Sequence, residues 1–134
     1  IKFINRQRSA GSRLEFDQLL RDAHIKPALI NGYENEEFTH LAVAATVAAG
    51  MADAGFGLRA AAEKFKLGFV PLVTERYFFV CTKEKLSEPA AEALIAFLKS
   101  KICKAQIDAM PGYDADQSGE IVSLKLALPW YKSH

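Results

Sequence analysis

Apolar residues along the first third of the chain alternate between strand and helix spacing. Residues 1–4 predict a short buried strand, and a polar loop of small residues follows it. Within 14–23 the apolar positions recur at helical intervals, so we expect a helix that ends before Pro27. Residues 28–31 form a short apolar run, which predicts a second strand.

The middle of the chain continues the alternation. A cap and two acidic residues at 35–37 predict the start of a helix that runs to about Ala49. Residues 52–57 predict a short strand with glycines at its end, and 58–65 predict a brief helix. The strongly apolar runs 69–73 and 77–81 predict two further strands.

The last third is mainly helical. Ser87 and Pro89 mark a helix start, that helix ends near Ser100, and a second helical stretch passes through 102–107. Turn residues dominate 111–119, and the remaining chain is interpreted as a strand or a tail. Strands and helices alternate almost throughout, which predicts the α/β class.

Composition limits the function classes. The chain has 134 residues, 50% of them hydrophobic and 25% charged, with a net charge of +1, which is typical of one globular domain. We therefore expect no membrane contact and no direct contact with nucleic acid. Cys81 and Cys103 lack any metal-site spacing, so buried, reduced thiols and a cytoplasmic location are expected. The chain begins with Ile1 inside a predicted strand, as a piece of a longer protein would.

One loop carries candidate chemistry. Small residues at Ser9, Ala10, Gly11 and Ser12 precede the first predicted helix, and Arg6 and Arg13 flank them. Unpaired N–H groups at a helix start, with arginines beside them, predict a cradle for an oxyanion. The alternative is a capped helix start with solvated arginines, and the residues alone leave both open. If the cradle exists, Arg13→Glu is expected to weaken anion binding at little cost to folding.

The same residues resemble a known family. Residues 3–8 followed by 10–13 are similar to the signature of the periplasmic-binding-protein-like domain found with molybdopterin-biosynthesis MoeA-like proteins and with molybdate-responsive regulators. Further matching pieces occur in the same order at Gly32-Tyr33, 39–44, 52–57, 69–72, 75–77 and 112–114. The chain departs from the family pattern at Ser9, where glycine is usual, and at Ala10, where many members have serine.

The resemblance implies a type II fold with two α/β lobes and a ligand cleft between them. Residues 1–119 would be the C-terminal portion of such a domain, comprising mostly the second lobe and a return segment. Residues 120–134 would be a C-terminal strand or tail. A covalently linked domain, either a helix-turn-helix or a MoeA-like region, would precede the chain. The absent lobe would leave an apolar surface on residues 77–80 and on the helix that carries Leu94, so a homodimer is expected.

The resemblance and the strand ends add further ligand-binding candidates. Thr39 and His40 lie where the second helix of the family lines the cleft, although a lone histidine is often a satisfied structural residue. Asp53, Gly55 and Gly57 follow a strand, where ligand crevices of open sheets form. The alternative for the glycines is a tight turn.

No catalytic motif is present in the sequence, so no catalytic activity, metal site or cofactor is expected beyond a molybdate or molybdopterin-type ligand. The resemblance implies a module that binds a small oxyanion, such as molybdate or tungstate, or a molybdopterin-like phosphate. It would serve molybdenum cofactor biosynthesis or molybdate-responsive regulation. Two alternatives stay open, namely an accessory domain of an enzyme acting on a bound pterin and a dimerisation module.

Overall fold

A computed structural model describes residues 1–128 and confirms the α/β class. The chain divides into two compact units, Ile1–Thr74 and Glu75–His134. The predicted boundary at residue 119 stays a prediction, and the last six residues of the predicted tail lie outside the described range.

Unit 1 is built on a three-stranded parallel sheet in the order β2-β1-β3. The strands are β1 (Phe3–Arg6), β2 (Glu36–Glu37) and β3 (Ala54–Gly55). Each leads into a helix, respectively α1 (Gly11–Asp22), α2 (His40–Ala48) and α3 (Arg59–Lys64), and a single 3-10 turn lies at Pro27–Leu29. Since the strands are parallel, the three helices begin at the same edge of the sheet, which we name the carboxyl edge.

The core of unit 1 lies between β1 and α2. Ile4, Val43 and Ala52 are buried together, with Val47 packed against them. Asn5 is fully buried, and its amide donates to the carbonyl of Tyr33 at 3.1 Å while its side-chain oxygen accepts from the Arg6 N–H at 3.0 Å. The central strand β1 is therefore held by apolar packing at Ile4 and by side-chain hydrogen bonds at Asn5.

Arg13 ties α1 to the sheet through what we name the Arg13 clamp. Its side chain is 3% exposed, and Nη1 donates to the carbonyl of Arg6 at 2.9 Å and to Glu36 at 3.1 Å. Nε donates to Asp17 at 3.2 Å, and the guanidinium lies 4.3 Å from the ring centre of Tyr33. Burial opposes the charge, but these partners raise the pKa of Arg13 overall. The clamp joins α1, β1 and β2.

Unit 2 contains α4 (Pro89–Lys99), α5 (Lys101–Asp108) and α6 (Leu124–Ala127), with a 3-10 helix at Lys83–Ser87. Ser100 separates α4 from α5, and its hydroxyl caps α5 by accepting from the N–H of Cys103 at 3.1 Å. Within residues 1–128, no helix is both long and apolar enough to cross a membrane.

Several predicted elements differ from the structure. The second helix begins at His40 rather than near Asn35, because Thr39 is its cap and accepts from the N–H of Ala42 at 3.0 Å. Glu36 and Glu37, predicted in its first turn, instead pair with β1. The run 28–31 is not a strand, since proline opens a 3-10 turn there.

The predicted strands 69–73 and 77–81 are not formed within the described chain. Residues 68–81 make no backbone hydrogen bond with any residue of the described range, although their sequence is typical of strands. Their apolar side chains are exposed, including Phe79 at 77%. We name residues 69–81 the unpaired segment. The final run, predicted as a strand or tail, contains the short helix α6.

The unpaired segment predicts self-association of this chain. Phe79→Ser should raise the concentration for half-maximal dimerisation at least tenfold, because about 100 Å² of apolar surface at about 25 cal/mol per Å² is about 2.5 kcal/mol. Leu29→Ser is the matched control, since Leu29 is also 77% exposed but lies in unit 1, outside the segment. Sedimentation velocity checks both variants. A wild-type chain that stays monomeric at all concentrations would contradict this expectation.

The Arg13 clamp makes a second prediction. Arg13→Ala should lower the free energy of unfolding by about 2–3 kcal/mol, because Asp17 and Glu36 lose their partly buried cation. Arg21→Ala, on the exposed side of α1, should change it by no more than about 0.5 kcal/mol. Urea titration with circular dichroism measures both, and equal midpoints for the two variants would disprove the clamp. Arg13→Glu, expected from the sequence to spare the fold, should destabilise it as well.

Candidate functional site

The carboxyl edge of the unit 1 sheet gathers buried polar side chains that lack partners. In open parallel sheets, ligands bind at this edge, where helices begin. Arg6 ends β1, Ser12 lies in the first turn of α1, and His40 is the first residue of α2. Among the described residues, each has at least one buried side-chain nitrogen or oxygen with no hydrogen-bond partner.

Arg6 is the most unusual of these residues. Its side chain is 9% exposed, and Nη2 donates to the carbonyl of Phe38 at 3.1 Å. Nε and Nη1 are buried without a partner, and no carboxylate within residues 1–128 forms an ion pair with this guanidinium. A buried charge without a counter-charge is costly, so this arrangement favours an incoming anion.

His40 lies near enough to Arg6 to respond to its charge. Burial lowers the pKa of His40, and the positive charge of Arg6 lowers it further. The imidazole is therefore neutral at physiological pH and offers a nitrogen without adding charge. A Cβ atom added at Gly57 would lie 3.7 Å from Nδ1 of His40, so the loop after β3 also approaches this side chain.

Together these groups form a set of donors suited to an anion. Arg6 supplies a full positive charge, and Ser12 supplies a hydroxyl. The N-termini of α1 and α2 add unpaired backbone N–H groups and partial positive charge. The chemistry available is therefore binding of a small negatively charged group.

The structure places most of the sequence-predicted site residues along this edge. Ser9, Ala10 and Gly11 lie in the turn and at the start of α1, with Ala10 as its cap residue. Thr39 also lies at the edge, but its hydroxyl is used to cap α2. With Arg6, Ser12, His40 and Gly57, these residues share the region where the strands end.

Three other predicted residues have contacts of a different kind. The guanidinium of Arg13 is used in the clamp. Asp53 precedes β3 and lies at the opposite edge, where its carboxylate accepts from the N–H of Lys2 at 2.6 Å. A Cβ atom at Gly55 would lie 2.6 Å from Cγ1 of Val43, so packing explains this glycine. Their predicted ligand contacts stay predictions.

Sequence reasoning missed Phe38, whose carbonyl holds Arg6 and whose side chain is 73% exposed. A contact made by a backbone carbonyl cannot be recognised from the sequence. An isolated aromatic residue directly before a helix cap can be, and it would have indicated Phe38. One groove of unit 1, of about 530 Å³, lies along Lys2, Phe3 and Met51, and Arg6 does not line it.

Comparisons with known proteins assign the family. A family model described as a PBP superfamily domain matches residues 1–99. The chain is 38% identical over 108 residues to an uncharacterized protein encoded in the 5′ region of the ferredoxin 2Fe-2S gene of Clostridium pasteurianum, covering 80% of this chain and 96% of that protein. It is 33% identical over 122 residues to the uncharacterized protein YvgK of Bacillus subtilis (strain 168), covering 91% of this chain.

The chain spans 96% of the Clostridium protein but only 39% of YvgK, so the two relatives differ in length. No solved structure matches the chain. The family match covers most of the chain, including the whole carboxyl edge of unit 1 with Arg6, Ser12 and His40. This chain therefore belongs to the periplasmic-binding-protein (PBP) superfamily.

Proposed function

We propose that this chain is a binding module for a small oxyanion, which contacts the carboxyl edge of unit 1. The single observation that carries the proposal is Arg6, whose Nε and Nη1 are buried without a partner in the described chain. An anion at this point supplies the counter-charge and accepts from the unpaired donors. Ser12 and His40 add donors from two helix starts.

The proposal includes the type II arrangement that the sequence resembles. In it, residues 1–119 form mostly the second lobe and the return segment, and a linked domain supplies the other wall of the cleft. The length of YvgK supports this arrangement, because most of that protein lies outside the match.

The resemblance suggests molybdate, tungstate or a molybdopterin-type phosphate as ligand, with a role in molybdenum cofactor biosynthesis or molybdate-responsive regulation. A cytoplasmic location accompanies this proposal, in keeping with the exposed free thiol of Cys81. A dimerisation module is the second candidate function, and the exposed side chains of the unpaired segment favour it. The two functions are compatible in one chain, since the unpaired segment and the donors around Arg6 involve different residues.

Thermal unfolding with added anions tests the binding site. Molybdate, sulfate, phosphate or formate at a hundred times its dissociation constant should stabilise the wild-type chain by about 2.7 kcal/mol, seen as a rise in Tm of several degrees. Sodium chloride at equal ionic strength should not. Arg6→Met should abolish the rise, because the uncompensated charge is removed while the length of the side chain is kept.

Arg59→Met is the matched control. Arg59 begins α3 at the same edge, but it is exposed and already paired with Glu63 at 2.8 Å. This variant should keep the full rise in Tm. Without anion, Arg6→Met should melt no lower than the wild type, since it buries no unpaired charge. An equal rise in wild type and Arg6→Met, or no rise with any anion, would overturn the proposal.

A further inference from the structure

The charges around Arg6 limit the kind of anion that the site can hold. Every other arginine near the carboxyl edge has a carboxylate partner. Arg8 pairs with Glu34 at 2.9 Å, Arg13 pairs with Asp17 and Glu36, and Arg59 pairs with Glu63. Arg6 is therefore the one uncompensated cation among the described arginines of this edge.

Unit 1 has no second unpaired arginine at this edge to offer the ligand. His40 is neutral, and Ser12 is an uncharged donor. Glu37 is the neighbour of Arg6 in register on β2, but its carboxylate accepts from the Thr46 hydroxyl at 3.2 Å and makes no ion pair with Arg6. The site thus offers one full charge plus the partial charges of two helix starts.

A doubly charged anion is a poor match for a site with one full positive charge. The cost of removing an ion from water grows with the square of its charge, so a dianion loses about four times the hydration energy of a monoanion of equal size. One guanidinium neutralises only one of the two charges. The balance therefore points away from the doubly charged oxyanions that the resemblance suggests.

Phe38 is an exposed apolar residue at the anchor, since its backbone carbonyl accepts from Arg6 Nη2 at 3.1 Å. Leu14 and Leu41 are two further apolar residues of the helix starts that carry Ser12 and His40. The exposed fraction is 73% for Phe38, 60% for Leu14 and 45% for Leu41. Exposed apolar groups beside a polar anchor are typical of sites for ligands with a polar end and an apolar body.

We infer that the carboxyl edge takes an organic monocarboxylate with an apolar substituent, whose carboxylate pairs with Arg6 and whose apolar part contacts Phe38 and its neighbours. The inference rests on the proposed oxyanion-binding function and narrows its ligand class. A carboxylate has two oxygens, so one can accept from Arg6 while the other accepts from a second, uncharged donor. The apolar part is removed from water by side chains that are otherwise exposed.

Calorimetric titration of the full chain at pH 8 and constant ionic strength tests this inference. Acetate, butyrate and hexanoate are the monoanion probes, and sulfate and molybdate are the dianion probes. Butyrate should bind at least tenfold more tightly than either dianion. Affinity should rise up to about fourfold for each added methylene, the value for a fully buried methylene group.

Phe38→Ser separates the two parts of the ligand. The contact of residue 38 with Arg6 is made by its backbone carbonyl, so this variant keeps the anchor and removes only apolar surface. Acetate affinity should stay within about twofold of wild type, and the gain from acetate to hexanoate should shrink. Leu29→Ser, an equally drastic change at an exposed leucine outside the edge, should leave the whole series unchanged.

Each outcome has a distinct meaning. Dianions that bind as tightly as butyrate, or a series without chain-length dependence, would overturn the monocarboxylate inference while leaving the proposed oxyanion function intact. Failure of every anion to bind would overturn the proposed function as well. Chain-length dependence that survives in Phe38→Ser but is lost in Leu29→Ser would contradict the placement of the ligand.

Discussion

The buried guanidinium of Arg13 is the interaction on which unit 1 depends. It binds the end of β1, a carboxylate of α1 and a carboxylate of β2, and so fixes the angle at which α1 leaves the sheet. The clamp uses Asp17 and Glu36, and Glu36 also pairs with Arg8 at 3.6 Å. Arg6, seven residues earlier on the same edge, has no acidic partner within the described chain. One arginine has all its contacts within the fold, and the other keeps two donors without a partner among the described residues.

Unit 1 and the unpaired segment differ in how far their backbone groups are hydrogen-bonded within the described chain. Unit 1 has a paired sheet, a buried core and a polar edge with unused donors. The unpaired segment begins near the end of unit 1 and continues into unit 2, with strand-like sequence but no backbone hydrogen bonds to described residues. Exposed apolar segments with a strand-forming sequence favour association with a sheet edge. The unused donors of unit 1 and the unpaired segment thus lie in separate stretches of the chain.

The elements that depend on local sequence were predictable, and those that depend on distant partners were not. β1, α1, α4 and α5 follow from apolar spacing and capping residues. The start of α2 was misplaced because Asn35 looks as good a cap as Thr39, and only pairing with β1 assigns Glu36 and Glu37 to a strand. From the sequence alone, Arg6 and Arg13 were equally good candidates for binding an anion. Asp17, four residues after Arg13, was a visible partner, whereas Glu36 lies 23 residues away and needs the fold.

The central claim is that Arg6 is paired by an anion from solution. The most direct measurement is the NMR signal of the arginine Nε–H groups during titration with sodium formate against sodium chloride at equal ionic strength. We expect a saturable shift of the Arg6 Nε–H signal, with the signals of Arg13 and Arg59 unchanged, because their carboxylate partners are already in place. An Arg6 signal that does not move at saturating formate, or that moves no more than that of Arg59, would contradict it.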